Sequence, residues 1–161
     1  MYKGVPASPG IAIGKALVLP KKHRIIKKRS IEDPVAEKGR FFKAVEAAKA
    51  RIESMVLPSG ESAQQAALEI LQAHKLILED PELVNAVTSQ IHKERVNAEF
   101  ALDATLNFYI DLLAESDSAY MRERVTDIRD VGNHVLNFLL GEETFTGSMI
   151  KEECIIVAPE L

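Results

Sequence analysis

Residues 72–83 read Gln-Ala-His-Lys-Leu-Ile-Leu-Glu-Asp-Pro-Glu-Leu and predict a point at which one helix ends and another begins. A residue before proline is driven out of the right-handed helical region, and proline suits the first turn of a new helix. Asp80 is therefore predicted to cap a helix that begins at Pro81. This corner, residues 72–83, is expected to expose Leu76 or Leu83. Whether it acts as a hinge or as a docking surface is the central functional question.

An apolar stripe leads into the corner and contains one histidine. Its members recur at the three-and-four spacing of a buried helix face and are Ala66, Ala67, Ile70, Leu71, His74, Ile77 and Leu78. A histidine in such a stripe is more often a core residue than a reactive one. His23, His92 and His134 are isolated in the sequence, so the pattern predicts neither a metal site nor a nucleophile triad, and no catalytic residue.

Charge is distributed unevenly along the 161 residues, whose formal net charge is −4. Residues 1–30 hold eight Lys or Arg and no acidic residue, whereas residues 31–141 hold eleven basic and nineteen acidic residues. An acidic middle block favours a basic protein surface as partner over nucleic acid, which needs a positive footprint. The basic run that begins at Lys21 is interpreted as a solvated connector, with an anion-binding patch as the less favoured alternative.

Compartment is predicted from cysteine content and hydropathy. Cys154 is the sole cysteine and has no partner for an internal disulfide. The chain start lacks the apolar core of a signal peptide, and no run of about 18 apolar residues predicts a membrane span. These features predict a cytoplasmic protein without a membrane partner.

Start and stop signals divide residues 31–141 into helices. The signals are Asp33-Pro34, Pro58-Ser59-Gly60, Asp80-Pro81, Asn97, Ser116-Asp117-Ser118 and Gly141. Asn97 is expected to cap the fourth helical segment, and Gly141 to end the fifth. Because the connections are short, the segments are predicted to form an antiparallel four-helix bundle in which one helix is broken at the corner.

Both ends of the chain have the character of β-strands. Ile11, Ile13 and residues 16–19 predict two short strands around a turn, and residues 154–158 form a continuous apolar run of the buried-strand kind. A lone strand is not stable, so these runs must pair with each other or with something further. The predicted fold is therefore mostly α, with the bundle inserted in an incomplete α/β domain. Its predicted divisions are residues 1–30, 31–141 and 142–161.

Three blocks of the sequence, taken together and in order, cover the chain and are similar to one known family. Residues 4–16 read Gly-Val-Pro-Ala-Ser-Pro-Gly-Ile-Ala-Ile-Gly-Lys-Ala, and residues 73–83 contain most of the corner. Residues 120–132 read Tyr-Met-Arg-Glu-Arg-Val-Thr-Asp-Ile-Arg-Asp-Val-Gly. They resemble the phosphoenolpyruvate-utilising enzymes, specifically Enzyme I of the bacterial sugar phosphotransferase system. The first block alone also occurs in related dikinases.

The resemblance implies a phosphohistidine α/β domain interrupted by a helical subdomain that docks the phosphocarrier protein HPr. Family members pass phosphate from phosphoenolpyruvate to a histidine in a Gly-Gly-x-Thr-Ser-His stretch, which this sequence does not contain. The chain is therefore expected to be the N-terminal part of a longer phosphotransferase and to be inactive alone. Magnesium, the phosphoenolpyruvate site and the homodimer interface are expected in the absent C-terminal part, and no cofactor in this chain.

Carried over by position, the resemblance implies an HPr-facing surface on the corner and the last helix. Its residues are His74, Leu76, Ile77, Glu82, Leu83 and Arg124. Family members often have acidic residues where this chain has Gln64, Gln65, Ala66 and Ala67, so a paralogous carrier is an open alternative. A second alternative is a stand-alone helical adaptor that has lost phosphotransfer. A native reading frame that continues past Leu161 into the histidine stretch would favour the first interpretation over the adaptor.

Overall fold

The computed structural model describes residues 9–18, 24–54, 61–142 and 152–158. Within these ranges the chain forms two short strands and five helices. In chain order they are β1 (Lys15–Val18), α1 (Pro34–Ser54), α2 (Glu61–Leu78), α3 (Pro81–Glu94), α4 (Ala98–Ala114), α5 (Ala119–Leu140) and β2 (Cys154–Val157). The prediction of a mostly helical fold with short strands near both ends is confirmed. The chain divides into two compact units, residues 26–143 and the remainder.

The smaller unit contains β1 and β2, which pair in parallel with Lys15 opposite Cys154 and Val18 opposite Val157. The two predicted end strands therefore pair with each other. Ile11 and Ile13 were expected in a strand, but both lie outside β1 and are almost fully exposed. The prediction of a strand at Ile11 and Ile13 is wrong, because neither residue has a strand partner among the described residues. Residue 19 and the preceding residues 1–8 lie outside the described range.

The helical unit contains one apolar core, formed by side chains of α1, α3, α4 and α5 together with Leu78 of α2. The buried members include Phe41, Ala48 and Ile52 from α1, Val87 and Ile91 from α3, Leu102 and Leu106 from α4, and Val131, Val135 and Leu139 from α5. Helices α4 and α5 cross closely at Gly132, where an added Cβ would lie 2.3 Å from Leu106 Cδ1. The absence of a side chain at Gly132 is what allows this crossing.

The corner forms as the sequence predicts. Helix α2 ends at Leu78 and α3 begins at Pro81. The Asp80 carboxylate accepts a hydrogen bond of 2.8 Å from the Glu82 backbone N–H, which satisfies one of the free donors in the first turn of α3. Asp33 does the same at the start of α1, where its Oδ1 accepts from Val35 N at 2.9 Å.

Asn97 occupies the predicted cap position of α4, but its side chain makes no capping hydrogen bond. Its Oδ1 accepts from Arg29 N at 2.8 Å and its Nδ2 donates to Glu99 Oε2 at 2.8 Å. The predicted cap position is therefore confirmed, but the amide side chain joins Arg29 to the buried Glu99 carboxylate instead of bonding to the first turn of α4. Gly141 ends α5 as expected, in the left-handed region with φ 64°.

Candidate docking surface

The six residues implied in partner binding lie on α2, α3 and α5. His74, Leu76 and Ile77 are in the last turns of α2, and Glu82 and Leu83 are in the first turn of α3. Arg124 lies on α5, which packs against α2. The His74 Nε2 atom is 4.0 Å from Asp127 Oδ1 of α5. The structure therefore brings the corner and the Arg124 region of α5 side by side.

The two leucines of the corner differ in solvent exposure. Leu76 is 70% exposed, whereas Leu83 is only 8% exposed and belongs to the core. Leu83 shares the inner face of α3 with Val87 and Ile91, at helical intervals of four residues. The corner thus exposes Leu76 and not Leu83. Direct contact by Leu83 stays a prediction, and in this conformation its side chain supports the surface from inside.

Ile77 is half-buried against the core, and the charged residues around Leu76 are exposed. The exposed acidic residues of the corner are Glu79, Asp80 and Glu82. Lys75 faces the other way, towards Glu53 of α1, with its Nζ 3.5 Å from the Glu53 Oε1 atom. The corner is therefore an apolar side chain at a helix break, rimmed mainly by negative charge.

A chain of polar contacts links this corner to α5. The Arg124 guanidinium donates to the Tyr120 hydroxyl and lies over the Tyr120 ring, 5.0 Å from its centroid. Its Nη1 is 3.4 Å from Asp127 Oδ2, and Asp127 in turn faces His74. The hydrogen bond to Tyr120 is the main cause that raises the pKa of Arg124. We call Tyr120, Arg124, Asp127 and His74 the polar chain.

Part of the polar chain could be found in the sequence and part could not. Arg124 and Asp127 are three residues apart on α5, a spacing at which opposite charges on a helix can pair, and the structure shows this contact. Tyr120 was not predicted as a partner, although it lies four residues before Arg124 and the same helical spacing makes the two side chains neighbours. Contact between His74 and Asp127 joins two helices and has no local signal.

His134 is half-buried on α5 and carries a lowered pKa. Burial is the main cause, and the nearby His74 and Arg51 act in the same direction, opposed by Asp130. A lowered pKa keeps the imidazole neutral at neutral pH. No additional positive charge therefore arises from His134 on α5 at that pH.

The strongest cluster of charged groups lies elsewhere, where α1 and α4 begin and α5 ends. The Arg40 Nη2 atom is 2.6 Å from both Glu37 Oε1 and Glu99 Oε2, and Arg40 Nη1 donates to the Leu139 carbonyl at 3.0 Å. Arg29 approaches the same Glu99 carboxylate at 3.3 Å. We call Glu37, Arg40, Glu99 and their partners Arg29, Asn97 and Leu139 the ion network.

Both carboxylates of the ion network are stable anions. A hydrogen bond from Arg40 is the main cause that lowers the pKa of Glu37. Burial acts to raise the pKa of Glu99, but the hydrogen bonds from Arg40 and Asn97 outweigh it and the pKa of Glu99 is lowered. Neither group therefore serves as a proton donor near neutral pH.

Two features are absent from the described part of the chain. There, no three side chains of His, Cys, Asp or Glu are grouped so that they could hold a metal ion. No described helix is both long and apolar enough to cross a membrane. The magnesium that the resemblance implies was expected outside this chain, and it stays a prediction.

Comparison with known proteins gives the family. Residues 3–124 match the family described as PEP-utilising enzyme, N-terminal. Phosphoenolpyruvate-protein phosphotransferases of Bacillus sp. (strain S) and Bacillus subtilis (strain 168) are each 42% identical, over 98% and 99% of this chain. The chain spans about a quarter of the length of these relatives, namely 27% and 28%.

Solved structures agree with this similarity. A solution structure of Enzyme I (nEIt) protein matches with a TM-score of 0.81 and 36% identity, over 100% of this chain and 66% of that one. An N-terminal domain of Enzyme 1 - Nitrogen shares the fold with a TM-score of 0.68 at 23% identity, over 88% of this chain and 60% of that one. The chain belongs to the PEP-utilising enzyme family and is an N-terminal domain of the Enzyme I type.

Proposed function

We propose that the helical unit docks an HPr-type phosphocarrier on the corner and the adjoining part of α5. The observation that carries this proposal is Leu76, a large apolar side chain that is 70% exposed beside a helix break. Protein interfaces typically combine a few apolar anchors with a polar rim, and Leu76 with its charged neighbours has this composition. His74, Ile77, Glu82 and Arg124 complete the proposed contact surface, and Leu83 supports it from the core.

Charge favours a basic partner. Glu79, Asp80 and Glu82 are exposed around Leu76, and residues 31–141 as a whole carry an excess of acidic residues. Complementary charge mainly accelerates encounter and selects partners, so the carrier is expected to present a basic surface to the corner. Gln64 and Gln65 occupy positions at which family members often carry acids. A paralogous carrier with a less basic surface therefore remains the alternative partner.

The proposal extends to the parent enzyme. In it, the four long helices run antiparallel and are inserted in a phosphohistidine domain that begins with β1 and continues with β2. Phosphate from phosphoenolpyruvate is passed to a histidine outside this chain and then to HPr, in sugar uptake in the cytoplasm. Magnesium and a homodimer interface belong to further parts of that enzyme. The similarity to phosphoenolpyruvate-protein phosphotransferases supports this proposal.

An NMR titration tests the docking surface. Adding unlabelled Bacillus subtilis HPr to the ¹⁵N-labelled chain is expected to shift backbone signals at residues 74–83 and around Arg124. Leu76→Ala should weaken binding about tenfold, because it removes the proposed anchor. Leu140→Ala is the matched control, since Leu140 is also exposed but lies at the other end of α5. Shifts confined to other regions, or equal weakening by both variants, would refute the surface.

A further inference from the structure

Arg124 is held in place on the protein before any partner binds. Its guanidinium has five N–H donors, and within the described residues two of them have partners, the Tyr120 hydroxyl and the Asp127 carboxylate. Asp127 balances its charge, so the pair adds little net charge to the surface. The remaining donors keep a defined direction, which an unrestrained arginine on a helix surface would lack.

Tyr120 provides two of the restraints on this guanidinium. It precedes Arg124 by four residues, so the two side chains are neighbours on one face of α5. The guanidinium lies over the ring within the range of a cation–π contact, with 5.0 Å between Cζ and the ring centroid, while the hydroxyl accepts a hydrogen bond. Tyr120 is exposed, and its contact with Arg124 therefore contributes little to folding. Its effect is on the freedom of Arg124.

We propose that Tyr120 is a positioning residue for docking, which orders Arg124 so that its remaining N–H donors meet acceptor groups on the carrier. This inference rests on the proposed function. Ordering a long side chain in advance removes an entropic cost that binding would otherwise include. Tyr120 contributes through Arg124, so its effect on binding must disappear when Arg124 is absent.

The free chain provides the first test. The order parameter of the Arg124 Nε–Hε group, from ¹⁵N relaxation, is expected to be high in the wild type. It should fall in Tyr120→Phe, which retains the ring but loses the hydroxyl, and fall further in Tyr120→Leu. Tyr109→Phe removes a hydroxyl from α4 and should have no effect. An unchanged Arg124 signal in Tyr120→Leu would overturn the inference whatever HPr does.

Binding to HPr provides the second test, as a double-mutant cycle. Tyr120→Phe and Arg124→Ala should each weaken binding by about threefold to tenfold, and the double variant no more than Arg124→Ala alone. Arg122→Ala is the charge-matched control, because the Arg122 guanidinium donates to the Ser116 carbonyl instead. If the wild type binds HPr and only Tyr120→Phe is without effect, this inference fails alone. If the wild type does not bind HPr, the proposed function fails and the docking role of Tyr120 fails with it.

Discussion

Replacing Arg40 with alanine is expected to lower the free energy of unfolding of the helical unit by about 2–3 kcal/mol. The change removes the hydrogen bonds from Arg40 to Glu37, to Glu99 and to the Leu139 carbonyl. Glu99 is the critical partner, because its side chain is only 3% exposed. Removing one member of a fully buried ion pair typically costs about 3–5 kcal/mol, since the other charge stays buried without compensation.

Two features of the ion network reduce that figure. The Arg40 side chain is 38% exposed, so water can replace part of its contact. Arg29 and Asn97 continue to contact the Glu99 carboxylate in the variant. Urea unfolding followed by circular dichroism at pH 7 measures the difference directly. Arg122→Ala is the control, because it removes an exposed arginine and should change stability by less than about 0.5 kcal/mol.

The pH dependence distinguishes the ion network from simple loss of packing. The folded-state pKa values of Glu37 and Glu99 are lowered, so their stabilising contribution is present above the ordinary glutamate pKa of 4.5 and is lost as the pH falls through and below it. The difference between wild type and Arg40→Ala should therefore shrink between pH 5 and about pH 3. A difference of the same size at pH 7 and pH 3 would refute this account of the ion network.

Three further predictions concern the core, the corner and the chemistry. Gly132→Ala should cost about 1–3 kcal/mol in urea unfolding, because the new Cβ would lie 2.3 Å from Leu106 Cδ1; no loss would mean that Leu106 moves freely aside. Asp80→Ala should cost about 1 kcal/mol in the same assay by removing the hydrogen bond to Glu82 N, and Asp80→Asn should retain most of it. Incubation with ³²P-labelled phosphoenolpyruvate and magnesium should give no phosphohistidine, and acid-labile label on His74 would contradict the placement of the acceptor outside this chain.

Most of the helix boundaries in the structure were predicted correctly from local start and stop signals in the sequence. A proline in the first turn and an aspartate before it restrict only neighbouring residues, so Asp33 and Asp80 could be assigned as caps without knowledge of the fold. Gly141 was similarly identified, because a left-handed residue after a helix favours glycine. Ile11 and Ile13 were assigned wrongly, since a strand requires a partner and alternation alone does not supply one.

The contacts between distant segments could not be predicted in this way. Glu99 accepts hydrogen bonds from Arg40 and Asn97. Because the Asn97 amide donates to Glu99 and accepts from Arg29 N, it does not bond to the first turn of α4. Nothing in the sequence around Asn97 distinguishes the two roles, since both use the same amide group at the start of a helix. The burial of Leu83, by contrast, follows from its four-residue spacing with Val87 on α3, whereas the exposure of Leu76 depends on which side of the corner faces the core.

The ion network and the proposed docking surface consist of different residues. The ion network joins Arg29 on the incoming chain, the start of α4 and the Leu139 carbonyl near the end of α5, so it fixes the helices where the chain enters and leaves the unit. The proposed docking surface combines the exposed Leu76 of the corner with the polar chain, in which the exposed contact between Tyr120 and Arg124 adds little to stability. Because the two groups share no residue, variants at Leu76 or Tyr120 are expected to weaken the proposed carrier binding while the fold is retained. Variants at Arg40 or Glu99 are expected instead to lower the fraction of folded protein. The proposed docking can therefore be measured separately from folding.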